Sequence, residues 1–274
     1  MINFLTYEIT PLEHLRDGLG SITVYSKNLG GRGDITFYLP ADYSQYESLP
    51  IVILLHGVYG SHWAWADKGR VHLVAEELIK QGEIGPVILA MPSDGLYKLG
   101  SFYEAYDHAD YEKWVTQDVI AALKEGIPQA NDNSKLAISG LSMGGYGALK
   151  LGVKYPELFQ AFSGMSSITK FDEYKKFVKL GEPEDNTASF IGINQRPDLI
   201  DIFTEKKNKG KDISPFIFDC GLDDLLYDGN QIFHQQLLDA DIPHCYKTPS
   251  GCHEWSYWEK QVREHLVFLG QYIL

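Results

Sequence analysis

Gly140-Leu141-Ser142-Met143-Gly144 decides how this chain is read. It has the form G-x-S-x-G. The apolar Leu136-Ala137-Ile138 precedes it, and the small residues Gly144, Gly145, Gly147 and Ala148 follow. This is the pattern of a strand, a very tight turn and a buried helix. In such a turn a serine stands at the tip with strained backbone angles, and the glycines let strand and helix pass closely. The hydroxyl is then exposed above the sheet. The helix N-terminus beside it offers N–H groups and the positive end of a dipole to a developing oxyanion.

Working outward, further apolar runs occur at Ile51-Val52-Ile53-Leu54-Leu55, Val87-Ile88-Leu89-Ala90-Met91 and Phe216-Ile217-Phe218, and Phe159 to Met165 reads as another strand. Continuous runs of this kind suit strands covered on both faces of a parallel sheet. Val71, Val74, Ala75, Leu78 and Ile79 form a stripe at helical spacing, as do Val115, Val119, Ala122 and Leu123. The helix after Ser142 should end near Tyr155-Pro156, because proline disfavours helix in the residue before it. A helix around Ile232, Phe233 and Leu237, a strand near Cys245-Tyr246-Lys247 and a last helix carrying Trp255, Trp258, Val262, Leu266 and Leu269 complete the alternation. The N-terminal part differs. Residues 1–20 predict an irregular start or an edge strand. Ser21 to Ser26 and Asp34 to Leu39 alternate apolar and polar around Asn28-Leu29-Gly30-Gly31, which predicts an antiparallel hairpin at the sheet edge.

The expectation is therefore a single α/β domain over residues 1–274, with a mostly parallel, doubly wound sheet and helices on both faces. Residues 170–213 interrupt the alternation with Lys175, Lys176, Lys179, Glu182, Pro183, Glu184, Asp185 and Pro197, and read as a small inserted cap. Lys206-Lys207-Asn208-Lys209-Gly210-Lys211 reads as a solvated loop.

Composition narrows the function classes. The 274 residues carry a formal charge of −13, which argues against nucleic acid or an anionic membrane as partner. No apolar run is long enough to span a bilayer. The N-terminus, Met1 to Glu8, lacks a basic start and a long apolar stretch, so it does not read as a signal peptide. With that reading, Cys220, Cys245 and Cys252 are expected as free thiols in the cytoplasm.

An elbow serine needs a base, and the base needs an acceptor that fixes its tautomer. In this topology the partners follow in the order serine, acid, histidine. His234 and His265 fall in helices and His244 borders a strand. His253, in Ser250-Gly251-Cys252-His253-Glu254, lies in a loop after the last strand and is the candidate base. Asp223 and Asp224 both follow the Phe216 strand, and spacing alone does not choose between them. Met143 N–H is one candidate oxyanion donor. Val58 N–H, in Leu55-His56-Gly57-Val58-Tyr59-Gly60, is the other, with Gly57 supplying the unusual backbone angle and His56 a buried structural role.

Aromatic residues flank these positions. Trp63, Trp65, Tyr103 and Trp255 are expected to bind substrate, with Tyr97, Phe102 and Tyr106 nearby. His244, Cys245, Cys252 and His253 contain no C-x-x-C pair, and the first two would alternate across a strand, so no metal is expected, and no cofactor either. Cys220 closes an apolar strand and reads as a small buried hydrophobe.

With Ser142, the Asp223-Asp224 pair and His253 placed, the chain resembles the putative esterase family, the esterase D or carbohydrate esterase 1 group. The anchors are Leu54-Leu55-His56-Gly57, Gly140 to Ala148, Cys220-Gly221-Leu222-Asp223-Asp224 and Gly251-Cys252-His253. The resemblance runs from about Gly33 to the C-terminus. It implies the α/β-hydrolase fold, assigns the acid to Asp224, and matches the second oxyanion donor to Val58. The implied activity is that of a serine carboxylesterase working through an acyl-enzyme on small esters, short-chain or hydroxycinnamoyl, with plant-polymer acyl groups implied by the carbohydrate-directed members. The S-formylglutathione hydrolase form of the first loop, Ser-Gly in place of His-Gly, is absent, which disfavours that thioesterase activity. Acyl transfer to another alcohol and a non-catalytic hydrolase-fold binding module are the rivals. A small-molecule ester is the expected partner, and association into a homo-oligomer is left open.

Overall fold

The apolar runs assemble, in a computed structural model that describes residues 4–94, 100–177 and 196–274, into one twisted sheet. Its strands are β1 (Tyr7–Ile9), β2 (Leu19–Ser26), β3 (Gly31–Tyr38), β4 (Ile51–Leu55), β5 (Ile88–Pro92), β6 (Leu136–Gly140), β7 (Phe159–Met165), β8 (Phe216–Asp219) and β9 (Cys245–Lys247). The order across the sheet is β1-β2-β3-β5-β4-β6-β7-β8-β9. The first three strands are antiparallel and β3 meets β5 antiparallel; from β5 to β9 every pairing is parallel. The hairpin forms as expected, and residues 1–20 do supply an edge strand, the short β1, outside β2.

Helices α1 (Ala64–Asp67), α2 (Val71–Gln81), α3 (Tyr111–Lys113), α4 (Val119–Gly126), α5 (Met143–Lys154), α6 (Leu199–Asn208), α7 (Tyr227–Asp239) and α8 (Trp255–Ile273) cover the sheet, with a π-turn at Trp114–Asp118 joining α3 to α4. The pleat divides the core. Ile51, Ile53 and Leu55 join Val119, Leu123, Leu149, Phe203 and Phe233 on one face. Val52 and Leu54 join Val71, Leu78, Val262 and Leu266 on the other. All five residues of β4 are buried, which is why that run has no polar alternation. The chain winds from β4 to β5 on one side and then returns to β6 on the other side of β4. Ligands bind at such a reversal, beyond the carboxyl ends of the strands.

The insertion needs correction. Within 170–213 the described residues are a 3-10 turn at Phe171–Phe177 and, after residue 195, α6. Helix α6 is the crossover between β7 and β8, not part of a cap. Its Leu199 and Phe203 are fully buried, and the Phe203 ring lies 5.1 Å from Phe216. Its apolar residues, Leu199, Ile200, Ile202 and Phe203, crowd into the first half, and the charged second half hides the helical period in sequence. Lys206 and Lys207, read as loop, close this helix instead; Lys206 Nζ reaches the Lys154 carbonyl at the end of α5, at 3.1 Å. Lys179, Glu182, Pro183, Glu184 and Asp185 lie outside the described residues, as does Tyr97.

Candidate active site

Ser142 stands at φ 55° and ψ −118°, a region non-glycine residues avoid. Two glycines make the turn sterically feasible. A Cβ at Gly140 would lie 2.2 Å from the Gly144 carbonyl oxygen, and one at Gly144 would lie 2.2 Å from that of Leu55. Hydrogen bonds hold the conformation. Ser142 N–H donates to Met165 O at 2.9 Å, while Ser142 O accepts from Tyr146 N at 3.1 Å and Ile168 N at 3.2 Å. Helix α5 starts at Met143, so the Met143 N–H belongs to the first turn, where helix geometry supplies no partner.

The loops after β8 and β9 are stitched together in front of this turn. Leu222 N donates to Pro249 O at 2.9 Å and Asp223 N to Gly251 O at 3.0 Å. Gly221 lets them touch, since a Cβ there would come within 2.2 Å of Gly251 O. The stitch brings His253 between Asp224 and Ser142. His253 Nδ1 lies 3.0 Å from both Asp224 oxygens, and Nε2 lies 3.0 Å from Ser142 Oγ. A carboxylate only accepts, so Nδ1 carries the proton and the Nε2 lone pair faces the serine hydroxyl. Asp224 Oδ1 also accepts the Leu226 N–H at 2.8 Å, and its side chain is fully buried. Asp223 is exposed. The His253 ring is held by Phe177, 5.0 Å away, and by Trp258, edge-on at 4.9 Å, whose indole N–H donates to Ser166 Oγ at 3.1 Å.

The loop after β4 lies directly on the serine turn. A Cβ at Gly57 would be 2.9 Å from Leu141 Cδ1 and 3.2 Å from Ser142 Cβ. The Gly57 carbonyl accepts from Gly60 N at 3.1 Å and from His56 Nδ1 at 2.8 Å. In a trans peptide the following N–H points opposite to that carbonyl, so the Val58 N–H is turned away from His56. His56 is buried as expected, with Nε2 accepting from Asp94 N at 3.2 Å.

A cavity of about 390 Å³ opens over Ser142 and His253. Val58, Tyr59, Phe177, Trp255 and Trp258 supply its apolar walls, and Lys68 and Glu254 its charges. Of the expected substrate-binding residues, Trp255 lines it. Trp65 and Tyr103 do not: both are 0% exposed. The Trp65 indole N–H donates to Leu55 O at 3.1 Å, and the Tyr103 hydroxyl to His56 O at 3.0 Å. A buried donor needs an acceptor, and both rings turned inward to find one. Trp63 stands outside the cavity lining, with Lys68 Nζ 5.3 Å over its ring. Phe102 is core, and Tyr106 stacks under Arg196. Sequence reasoning missed Tyr59, Phe177 and Trp258 as walls. Trp258 was detectable three residues, nearly one helical turn, after Trp255, and Tyr59 beside Val58. Phe177 follows two lysines and carries no periodic signal.

Neither cysteine-based rival gains support. Burial, and behind it the Asp224 charge, push the Cys220 thiol far above its ordinary range. His244 spends both nitrogens, on His234 Nδ1 and on Ile242 O, each at 2.7 Å.

The family described as "Putative esterase" matches residues 26–269, and the chain belongs to it. An acetyl esterase of Caldicellulosiruptor saccharolyticus is 26% identical over 269 residues, covering 91% of this chain and 97% of that protein. Among solved structures, a ferulic acid esterase superposes with TM-score 0.76 at 24% identity, over 99% of this chain and 100% of the other. An S-formylglutathione hydrolase from Staphylococcus aureus gives 0.77 at 19% identity, over 96% and 99%. These two share the α/β fold. The chain is an esterase, acting on carboxylic esters.

Proposed function

We propose that this member of the putative esterase family hydrolyses small esters through an acyl-enzyme on Ser142. One observation carries the reading: the unbroken chain Ser142 Oγ, His253 Nε2, His253 Nδ1 and Asp224 at 3.0 Å steps. Ser142 Oγ attacks the ester carbonyl and its proton passes to His253. Asp224 holds the tautomer and stabilises the imidazolium. The carbonyl oxygen becomes an oxyanion, bound by Met143 and Val58 N–H. Collapse breaks the C–O bond to the alcohol, which takes the proton from His253. Water, activated by the neutral His253, then repeats the attack and releases the acid. A binding module would have no need of the strain at Ser142.

The substrate is a short-chain or hydroxycinnamoyl ester. The cavity, about 390 Å³, is at the small end for ligand sites, and its walls at Tyr59, Phe177, Trp255 and Trp258 suit a flat or compact group. The acetyl esterase and ferulic acid esterase relatives agree with this range. We read the chain as one domain, and the free thiols Cys220, Cys245 and Cys252 as those of a cytoplasmic enzyme. Measured kcat/KM for nitrophenyl acetate, butyrate and palmitate and for methyl ferulate tests the substrate class. Acetate or ferulate should lead; palmitate leading by tenfold overturns it. Ser142→Ala should lower the rate by several orders of magnitude.

A further inference from the structure

Behind the oxyanion loop runs a short buried strap, Gly100 to Glu104. Phe102 and Tyr103 have φ of 51° and 54°, two consecutive non-glycine residues in the left-handed region, at 1% and 0% exposure. Side chains of this kind avoid that region unless the surroundings impose it. The strap touches Met143 directly and reaches the loop that carries Val58 through His56. Gly100 lies against the residue after the nucleophile, where a Cβ would come 2.3 Å from Met143 Sδ. The Tyr103 hydroxyl donates to His56 O at 3.0 Å, and its ring lies against Gly147 of α5. Ser101 N donates to Asp94 Oδ2 at 2.7 Å, and Asp94 N to His56 Nε2 at 3.2 Å. His56 in turn holds the Gly57 carbonyl, opposite the Val58 N–H.

Among the groups that hold the strained turn is a lysine. Lys150 projects from α5 two helical turns beyond the nucleophile and is 2% exposed. Its Nζ donates to Tyr103 O at 2.8 Å and pairs with Glu104 Oε1 at 2.8 Å, with Glu112 Oε2 at 3.8 Å. The Tyr146 hydroxyl and Arg196 complete the shell around Glu104, at 3.1 and 3.3 Å. A buried ammonium is costly, and an apolar side chain of that length would pack as stably. The ammonium does what an apolar chain cannot: it binds a carbonyl of the strained residue.

We propose that Lys150 is a positioning residue for the oxyanion hole, holding the strap that aligns the Met143 and Val58 N–H groups. The proposal rests on the Ser142 mechanism above. The test uses a phenyl trifluoromethyl ketone, whose carbonyl adds Ser142 Oγ and leaves an oxyanion, and the unfluorinated methyl ketone as a ground-state control. Rates are taken per active site, counted with a fluorophosphonate. Glu104→Gln with Lys150→Met removes both charges together. It should lower kcat/KM for nitrophenyl acetate about tenfold and weaken the fluorinated ketone by the same factor, a fraction of the loss from deleting a donor outright. The methyl ketone should change less than twofold. Tyr103→Phe keeps the ring and deletes one hydrogen bond; it should move the same two quantities about threefold, and it decides the matter if the double variant does not fold. Variants equal to wild type, or equal losses for both ketones, overturn the proposal. A wild-type enzyme that forms no adduct with the fluorinated ketone overturns the Ser142 mechanism instead.

Discussion

Asp224→Asn should abolish most activity, and the structure says why an isosteric change is so damaging. Asp224 Oδ1 accepts from both Leu226 N–H, at 2.8 Å, and His253 Nδ1, whereas Oδ2 faces His253 Nδ1 alone. An asparagine must keep its oxygen at the Oδ1 place, because the backbone N–H of Leu226 cannot accept a hydrogen bond. Its NH₂ then occupies the Oδ2 place and donates toward His253 Nδ1. That nitrogen becomes the lone-pair side, and the ring proton moves to Nε2, facing Ser142 Oγ. The base is lost with no change in the size of the side chain at 224. A wrong tautomer in such a triad costs about 10⁴ in kcat, or roughly 5.4 kcal/mol at 1.36 kcal/mol per decade. Asp223→Asn is the control. Asp223 is exposed and contributes its backbone N–H to Gly251 O, which asparagine retains, so its kcat/KM should stay within about twofold of wild type. The assay is nitrophenyl acetate hydrolysis by both variants at equal fluorophosphonate-titrated or folded concentration. An Asp224→Asn enzyme within tenfold of wild type, or equal losses at the two positions, refutes the reasoning.

Three further outcomes are expected. Gly144→Ala places a methyl 2.2 Å from the Leu55 carbonyl oxygen, so the strand and helix must part; Tm should fall, with at least the 1–3 kcal/mol typical of overpacking, and hydrolysis should fall with it. Burial holds the His62, His72 and His234 imidazoles below their ordinary value of 6.5. The folded state then binds fewer protons than the unfolded chain just below that value, so stability is complete above pH 6.5 and is lost on acidification. Tm measured from pH 7.5 to 5.5 should fall, with a shallower slope for His234→Gln; a rising Tm contradicts the assignment. Iodoacetamide should modify the exposed Cys245 and Cys252 and spare Cys220, whose thiol is buried and held protonated, as mass spectrometry of the folded enzyme can show.

The sheet and the candidate residues Ser142 and His253 were legible in the sequence for one physical reason: each is fixed by short-range constraints. Strands buried on both faces read as apolar runs, and β4, the first three residues of β6 (Leu136 to Ile138) and the first three of β8 (Phe216 to Phe218) supply them. An elbow needs glycine where backbones come within van der Waals contact, and Gly140 and Gly144 stand there. Order along the chain admits His234, His244, His253 and His265, and the loop after the last strand singles out His253 as the candidate base. Choosing Asp224 over Asp223 needed more, because adjacent residues on a turn differ only in which one the stitched loops aim inward. Substrate walls lack such constraints. Trp65 and Trp255 illustrate this: their rings touch, at 5.7 Å between centroids, yet one is sealed in the core and the other faces the cavity. Nothing in the local pattern separates them, since the outcome depends on a carbonyl, Leu55 O, that only the folded sheet presents to the Trp65 indole. Gly69 decides the second ring, because a Cβ there would come 2.8 Å from Trp255 Cζ3 and push that side chain out of its slot. Aromatics on loops around a strand end are therefore sorted by long-range hydrogen bonding and close packing, and their roles follow from the fold rather than from their position in the chain.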